Sequence, residues 1–137
     1  MEKHISGLFE AATRAQNRAY APYSHFRVGA ALYIPEHNAT VGGCNVENVS
    51  YGATICAERN AIAAAIAEYG TAAAEHLLVL SPTDPPVVPC ALCLQVLREF
   101  CEPTLQIHLA TANGIQRTLT LQELLPIQFS DFTPHHH

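Results

Sequence analysis

The hydrophobic positions of this chain follow a helical spacing first and an alternating spacing directly afterwards. Apolar side chains recur every three or four positions over residues 5–19, and Pro22 then interrupts the pattern, which predicts a first helix. Alternation over residues 26–34, the turn-forming residues 35–38 and a second extended run over residues 41–46 predict a β-hairpin. The chain is therefore expected to begin with a helix followed by two antiparallel strands.

Two further helices are predicted on either side of a short apolar run. Residues 54–69 are rich in alanine and close with Gly70, a favourable residue at a helix C-terminus. The apolar residues 76–80 lead into a proline-rich loop, which predicts a buried strand that ends in a loop. Pro89 suits the first position of a third helix that is expected to run to about Glu102.

The last part of the chain contains two strand-like segments. They cover residues 105–111 and 118–121, and Asn113-Gly114 between them is a strong turn signal. Helices and strands thus alternate along the whole sequence. This order predicts an α/β layered domain with a mixed sheet.

Length and composition support one folded domain, predicted to span residues 1–134. The 137 residues are 49% hydrophobic, and the terminal His135, His136 and His137 resemble a purification tag. The formal net charge of -5 disfavours a nucleic acid polymer as partner and favours a small molecule. The sequence contains neither a signal-peptide pattern nor an apolar run long enough for a membrane, so we expect a cytoplasmic protein without a membrane partner.

Three of the five cysteines are candidates for one metal site. Cys90 and Cys93 form a C-x-x-C pair at the start of the third predicted helix, so both sulfurs can face one metal ion. Such a pair is also found in thioredoxin-type redox sites, and two core cysteines would give the same spacing. Cys56 lies in the opening turn of the second predicted helix and is a candidate third thiolate. Cys44 and Cys101 are interpreted as ordinary buried thiols.

Helix N-termini favour thiolates, because amide N–H groups and the helix dipole stabilise negative charge. Three protein ligands leave a fourth zinc position open, which is typical of catalytic rather than structural zinc. Three thiolates also make the site negative, and Arg59 is the candidate that compensates for this charge; its alternative interpretation is a surface arginine.

Glu58 lies two residues after Cys56, about 200° further around an ideal helix. It is therefore poorly placed to be another ligand of the same metal but can reach a water molecule there. On its own, a glutamate in a first helical turn is usually solvated and interacts with the helix dipole.

Together, the segment Cys56-Ala57-Glu58 and the later P-C-x-x-C segment resemble the zinc deaminase signature. Within that superfamily, the wider match is to cytidine deaminases of the short, tetrameric type. The resembling segments are Tyr20-Ala21-Pro22-Tyr23-Ser24, Phe26-Arg27-Val28-Gly29-Ala30-Ala31-Leu32, Gly43-Cys44-Asn45-Val46-Glu47-Asn48, Ser50-Tyr51-Gly52, Cys56-Ala57-Glu58-Arg59, Pro89-Cys90 with Cys93, Gln95-Val96-Leu97 and Leu124-Leu125-Pro126.

This resemblance implies a fold, a cofactor and a reaction. The fold would be a three-layer α/β/α sandwich around a mixed sheet of about five strands. Each subunit would bind one Zn²⁺ and convert cytidine and 2′-deoxycytidine to the corresponding uridines with release of ammonia, in pyrimidine salvage. Glu58 would move the protons, while water activated by zinc attacks C4.

The resemblance also implies how the nucleoside is bound. Asn45 and Glu47 would hydrogen-bond the ribose, chiefly its 3′ hydroxyl, and Phe26 and Ala57 would contact the nucleoside. Asn45 and Glu47 lie two apart in an extended run and so face the same side, although without the resemblance they are interpreted as a turn amide and an exposed acid. Phe129 would reach the pyrimidine in a neighbouring subunit of a homotetramer; alternatively, it is a tail residue that covers the core.

Two positions depart from the family pattern. Ala91 and Leu94 stand where the family usually has glycine and arginine, and the missing arginine removes positive charge near the thiolates. An alternative substrate is therefore another aminated heterocycle or a modified nucleoside. A non-enzymatic alternative is a degenerate zinc-binding or nucleoside-binding protein whose fourth zinc position is filled by Cys44 or Cys101.

Overall fold

A computed structural model describes residues 2–129 of the chain; the proposed tag residues and the end of the predicted domain lie outside this range. Its helices are α1 (Glu2–Asn17), α2 (Ala57–Tyr69), α3 (Ala91–Phe100) and α4 (Leu121–Leu124). Its strands are β1 (Gly29–Ile34), β2 (Ala39–Cys44), β3 (His76–Leu80), β4 (Gln106–Thr111) and β5 (Gly114–Thr120). Short 3-10 helices cover Pro35–His37 and Tyr51–Ala53.

The five strands form one mixed sheet in the order β2-β1-β3-β4-β5. β3 and β4 are parallel, whereas the other three neighbouring pairs are antiparallel. Every residue of β1 and β3 is buried, because both strands lie inside the sheet and both of its faces are covered. The predicted mixed sheet is confirmed.

Helices cover both faces of the sheet. Leu8 and Ala12 of α1 pack with Ala31 and Leu78 on one face. On the other face, Ile62 of α2 and Leu97 of α3 belong to the larger core cluster, together with alternate residues of β1, β3 and β4. The three-layer α/β/α sandwich implied by the resemblance is therefore present.

Both site helices begin later than predicted. α2 begins at Ala57 rather than at residue 54, because Cys56 is extended, with φ -71° and ψ 156°. α3 begins at Ala91, since Cys90 is also extended, so Pro89 lies outside this helix. α3 ends at Phe100 rather than near Glu102.

The bounds of four strands differ from the prediction, that of β4 by one residue only, since it begins at Gln106 rather than at residue 105. β1 begins at Gly29 rather than at residue 26, and β2 spans Ala39–Cys44 rather than residues 41–46. Val46 instead forms isolated bridges to Tyr20 and Ile55. β5 extends back to Gly114, and Leu121 begins α4, because Thr120 and Glu123 form a capping box that starts a helix there.

A glycine sets the distance between β2 and α2. A Cβ atom at Gly43 would lie 2.3 Å from the amide nitrogen of Ala61 and 2.7 Å from the carbonyl oxygen of Ala57. Only glycine therefore permits this approach of the two backbones. Asn60 adds a hydrogen bond from its Nδ2 to the carbonyl oxygen of Cys44 at 2.8 Å. The segment that follows β2 is thereby held beside the start of α2.

Within the described residues 2–129, we find no helix that is both long and apolar enough to cross a membrane.

A pair of buried histidines joins β3 to β4 and β5. His76 Nδ1 and His108 Nε2 lie 3.0 Å apart, and His108 Nδ1 lies 2.9 Å from the Thr118 hydroxyl. Burial lowers the pKa of His108 to about 4, and it lowers the pKa of His76 as well. Both rings are thus held in their neutral form, since charging them would place positive charge in the protein interior.

We predict that this pair makes stability depend on pH. The unfolded chain binds a proton at His108 below about pH 6.5, whereas the folded chain binds it only near pH 4, so the free energy of unfolding falls as pH decreases through that window. In His108→Gln this contribution is absent. Between pH 8 and pH 4, the free energy of unfolding of the wild type should therefore fall by on the order of 2 kcal/mol more than that of His108→Gln. Urea unfolding of both zinc-loaded proteins from pH 8 to pH 4 measures the difference. His37→Gln, at an exposed histidine, is the control, and parallel curves for wild type and His108→Gln would contradict the prediction.

Candidate active site

Three cysteine thiols meet where two helices begin. Cys56 is the N-cap residue of α2, Cys90 is the N-cap residue of α3, and Cys93 lies in the first turn of α3. The sulfur of Cys90 lies 3.9 Å from that of Cys56 and 3.4 Å from that of Cys93. The predicted grouping of these three thiols is thus present in the fold, within 4.8 Å of one another.

This cluster fits a zinc ion. Zinc bound at about 2.3 Å to each sulfur in a tetrahedral arrangement requires sulfurs about 3.8 Å apart, close to the distances found here. Among residues 2–129, no other cysteine, histidine or acidic side chain belongs to the cluster. Cys101, one suggested fourth ligand, instead donates to the carbonyl oxygen of Ala72 at 3.3 Å. Cys44, expected to be buried, is only partly so.

The neighbours of Cys56 favour its thiolate. A hydrogen bond from Cys93 and the nearby Arg59 guanidinium lower the pKa of Cys56 to about 5, although partial burial opposes this. The same contact with Cys56, together with burial, raises the pKa of Cys93. The Cys56 thiolate is therefore stabilised first, and ionising Cys93 beside it requires additional positive charge, which a metal ion provides.

Arg59 lies against the thiols, as the sequence suggested. Its Nη2 lies 3.7 Å from the Cys56 sulfur and donates to the carbonyl oxygen of Thr54 at 3.4 Å. Its Nε is buried and has no hydrogen-bond partner within the described part of the chain. The surface-arginine interpretation does not fit this position.

Glu58 is buried beside the thiols in the first turn of α2. Only 5% of its surface is exposed, which is unusual for a glutamate and excludes the solvated-residue interpretation. Burial, together with the Cys56 charge, raises the pKa of Glu58 to about 7, although a backbone hydrogen bond and Arg59 act in the lowering direction. A carboxyl group with such a pKa accepts and releases protons readily near neutral pH.

Asn45 faces the segment that carries Phe26. Its Oδ1 accepts from the Val28 amide at 2.9 Å, and its Nδ2 donates to the Phe26 carbonyl oxygen at 2.8 Å. An amide side chain offers two donors and two acceptor sites, so one of each remains for a ligand. Asn45 therefore holds the backbone of residues 26–28 in place, and one donor and one acceptor site of its side chain remain for a ligand.

Glu47 is bound by the turn just before Phe26. Its Oε1 accepts from the amides of Tyr23 and Ser24 at 3.0 and 3.1 Å, and its Oε2 accepts from the Ser24 hydroxyl. The Ser24 hydroxyl and these backbone amides lower the pKa of Glu47, so the group is ionised. A carboxylate has about four acceptor sites, which leaves one for a ligand.

An open cavity of about 420 Å³ adjoins Glu47. Its lining residues are Tyr23, Ser24, Glu47, Asn48, Tyr51 and Thr54. The cysteine cluster does not line this cavity. Phe26 is half-buried and packs against the core cluster that contains Ala57 and Leu94.

The last described residue, Phe129, is hydrogen-bonded to α3. Phe129 is 65% exposed, and its carbonyl oxygen accepts from Gln95 Nε2 at 2.5 Å. Of the departures from the family pattern, Leu94 is buried in the core cluster, whereas Ala91 is exposed.

The sequence did not assign a role to Ser24, Asn60 or Gln95. Each makes a hydrogen bond to a site segment that is 16 or more residues away in the chain. Ser24 and Gln95 lie within the segments that carry the family resemblance, which was the available signal.

Comparison with known proteins identifies the family. The family model described as "Cytidine and deoxycytidylate deaminase zinc-binding region" matches residues 2–109, which contain all three cysteines and Glu58. The chain belongs to this deaminase family. Its cofactor is zinc, in agreement with the chemistry and spacing of the three thiols.

Individual members of the family resemble the chain over most of its length. The cytidine deaminase of Sporosarcina psychrophila is 39% identical over 126 residues, 92% of this chain and 91% of the relative. The crystal structure of the Burkholderia pseudomallei cytidine deaminase has a TM-score of 0.83 and 42% identity, covering 90% of this chain and 98% of that one. For the crystal structure of the Mycobacterium tuberculosis cytidine deaminase, the TM-score is 0.76 at 37% identity, and the match covers 91% of this chain and 96% of that one.

Proposed function

We propose that this chain catalyses the hydrolytic deamination of cytidine and 2′-deoxycytidine to uridine and 2′-deoxyuridine, with release of ammonia. The observation that carries the proposal is a buried glutamate, Glu58, directly beside three clustered thiols in a member of the deaminase family. Cys56, Cys90 and Cys93 hold the zinc ion. When bound, zinc supplies a water molecule whose pKa is lowered toward neutrality.

Glu58 moves the protons of the reaction. Its carboxylate takes a proton from the attacking water and delivers it to N3 of the cytosine ring, while the water oxygen adds to C4. Glu58 then takes the proton of the hydroxyl group that is now on C4 and passes it to the amino group, which leaves C4 as ammonia while the C4 carbonyl of the uridine forms. A pKa raised to about 7 by burial supports both roles, because the group exchanges protons readily in each direction near neutral pH.

Arg59 offsets the negative charge of the thiolates. Its guanidinium contacts the Cys56 sulfur, and Leu94 supplies no charge where the family usually has an arginine. Arg59 is therefore assigned to adjust the electrostatics of the zinc site rather than to contact the substrate.

Asn45 and Glu47 are assigned to the sugar, with Phe26 and Ala57 contacting the nucleoside. The remaining donor and acceptor of Asn45 and the remaining acceptor site of Glu47 suit a 3′ hydroxyl, which both donates and accepts. The carbonyl oxygen of Phe26 accepts a hydrogen bond from the Asn45 side chain. The residue assigned to the nucleoside and the residue assigned to the sugar are thus in direct contact.

The assay that tests this function is ultraviolet-monitored turnover by zinc-loaded protein. We expect deamination of both cytidine and 2′-deoxycytidine, and turnover of neither would refute the proposal. A panel with free cytosine, guanine, adenosine and modified cytidines tests the alternative substrates, because activity confined to one of these would reassign the reaction. We further propose a cytoplasmic role in pyrimidine salvage.

We also propose that the enzyme is a homotetramer in which Phe129 reaches the pyrimidine of a neighbouring subunit. The support is a group of exposed apolar side chains near the cavity. It comprises Tyr20, Tyr23, Val46, Val49, Tyr51 and Ile55, with Phe129 exposed on the C-terminal segment. Light scattering at assay concentration should give the mass of four chains, and a monomer would contradict the assembly.

A further inference from the structure

We infer that Ser24 is a positioning residue that orients Glu47 toward the sugar of the substrate. The inference rests on the proposed function and extends it to a residue to which that function assigns no role. It starts from the hydroxyl of Ser24, which lies between two groups of the site.

The hydrogen bonds of Ser24 define which way its proton points. The Phe26 amide donates to the Ser24 hydroxyl oxygen at 3.0 Å, so this oxygen acts as an acceptor from that side. A serine hydroxyl has a single proton, and Glu47 Oε2 is the acceptor within reach. The Ser24 hydroxyl therefore donates its proton to the Glu47 carboxylate, and it accepts a hydrogen bond from the Phe26 amide at the same time.

The two oxygens of Glu47 differ in how they are held. Oε1 accepts from two backbone amides, which no side-chain substitution removes, whereas Oε2 is held by the Ser24 hydroxyl alone among the contacts found in residues 2–129. Oε2 also keeps the unused acceptor site. Without the Ser24 hydroxyl, only Oε1 of the carboxylate is hydrogen-bonded. The position of Oε2, and with it the direction of the unused acceptor site, is then no longer fixed.

Sugar recognition then depends on Ser24, whereas the proton transfers at the base do not. Glu58 and the cysteine thiols have no contact with Ser24 among their described hydrogen bonds. A substitution at Ser24 should therefore lower kcat/KM for substrates that carry a 3′ hydroxyl, and should lower it much less for substrates that lack one.

The experiment compares 2′-deoxycytidine with 2′,3′-dideoxycytidine. For Ser24→Ala, we expect kcat/KM for 2′-deoxycytidine to fall about tenfold, mainly through KM, which is the scale of a hydrogen bond to a charged group. For the dideoxy substrate we expect a change below about twofold. Ser24→Thr keeps the hydroxyl at an exposed position and should restore activity, and Ser6→Ala, at an exposed serine of α1, is the matched control.

A double-mutant cycle separates positioning from a general loss of structure. In a Glu47→Ala background, Ser24→Ala should change kcat/KM by less than about twofold, because the group on which it acts is gone. Should Ser24→Ala fail to fold, Ser24→Cys replaces it, since a thiol is a weaker donor and should give an intermediate loss confined to the 3′-hydroxylated substrate.

The possible results of these experiments test the role of Ser24 separately from the proposed deamination. Equal losses on both substrates, no loss on either, or a full additional loss in the Glu47→Ala background would overturn the role of Ser24 while deamination by the wild type stands. A wild type that turns over neither cytidine nor 2′-deoxycytidine would overturn the proposed function together with this inference.

Discussion

Replacing Glu58 by glutamine is expected to lower kcat for cytidine by at least about 10²–10⁴-fold, the usual contribution of a general acid–base group. Glutamine has nearly the same shape and fits the buried position, but its amide neither takes up nor releases a proton in this pH range. The zinc content should stay at the wild-type level, because Glu58 is not part of the thiol cluster. Steady-state kinetics together with metal analysis measure both quantities.

Glu68→Gln is the matched control for this substitution. Glu68 lies on the same helix, is exposed, and should show wild-type kinetics when changed. Undiminished turnover by a zinc-loaded Glu58→Gln protein would remove Glu58 from the mechanism. A loss of zinc in that variant would indicate that the carboxylate supports the metal rather than the protons.

Replacing Cys90 by serine is expected to abolish stable zinc binding and, with it, turnover. A serine hydroxyl is a poor zinc ligand, and two thiolates hold the ion much less tightly than three. Cys90 is exposed, so the substitution leaves no cavity in the core. Metal analysis after dialysis should give less than about one-tenth of the wild-type zinc per chain, with kcat/KM reduced about 10³-fold or more.

The thermal midpoint provides an independent measure of this loss. Because zinc binds the folded chain, excess zinc should raise the midpoint of the wild type but not that of Cys90→Ser. Cys44→Ser changes a thiol outside the cluster and should retain zinc and activity. Full zinc occupancy in Cys90→Ser would show that another group completes the site.

Hydrophobic patterning predicted the fold well where periodicity was strong. The two central strands and the three longer helices are present, since their apolar positions match the faces that the sheet and helices bury. The beginnings of α2 and α3 were placed too early. Residues 54–56 and Pro89 fit a helix by their composition, whereas the extended backbone at Cys56 and Cys90 depends on how the two helix ends face each other.

Spacing and chemistry together grouped the three cysteines, but the contacts of the proposed sugar-binding residues, Asn45 and Glu47, had no sequence signal. The two side-chain bonds of Asn45 reach back 17 and 19 residues, and the bond from Ser24 to Glu47 spans 23 residues. Such contacts appear only once the fold pairs Tyr20 with Val46 in an isolated bridge outside the strands. The sequence thus indicated which residues are candidates for the site, and the fold reveals which of these candidates hydrogen-bond to other site segments.

The close approach at Gly43 has a consequence for how the enzyme adapts to different ligands. Because the backbones of β2 and α2 are in contact there and Asn60 adds a hydrogen bond between them, we expect the strand leading to Asn45 and the helix carrying Glu58 to move together as one rigid block. A nucleoside with a larger base or an altered sugar cannot be accommodated by moving these two elements apart. We therefore expect induced fit to involve the surrounding loops rather than these two elements. Efforts to widen the substrate range by directed evolution should target those loops and leave the rigid block intact.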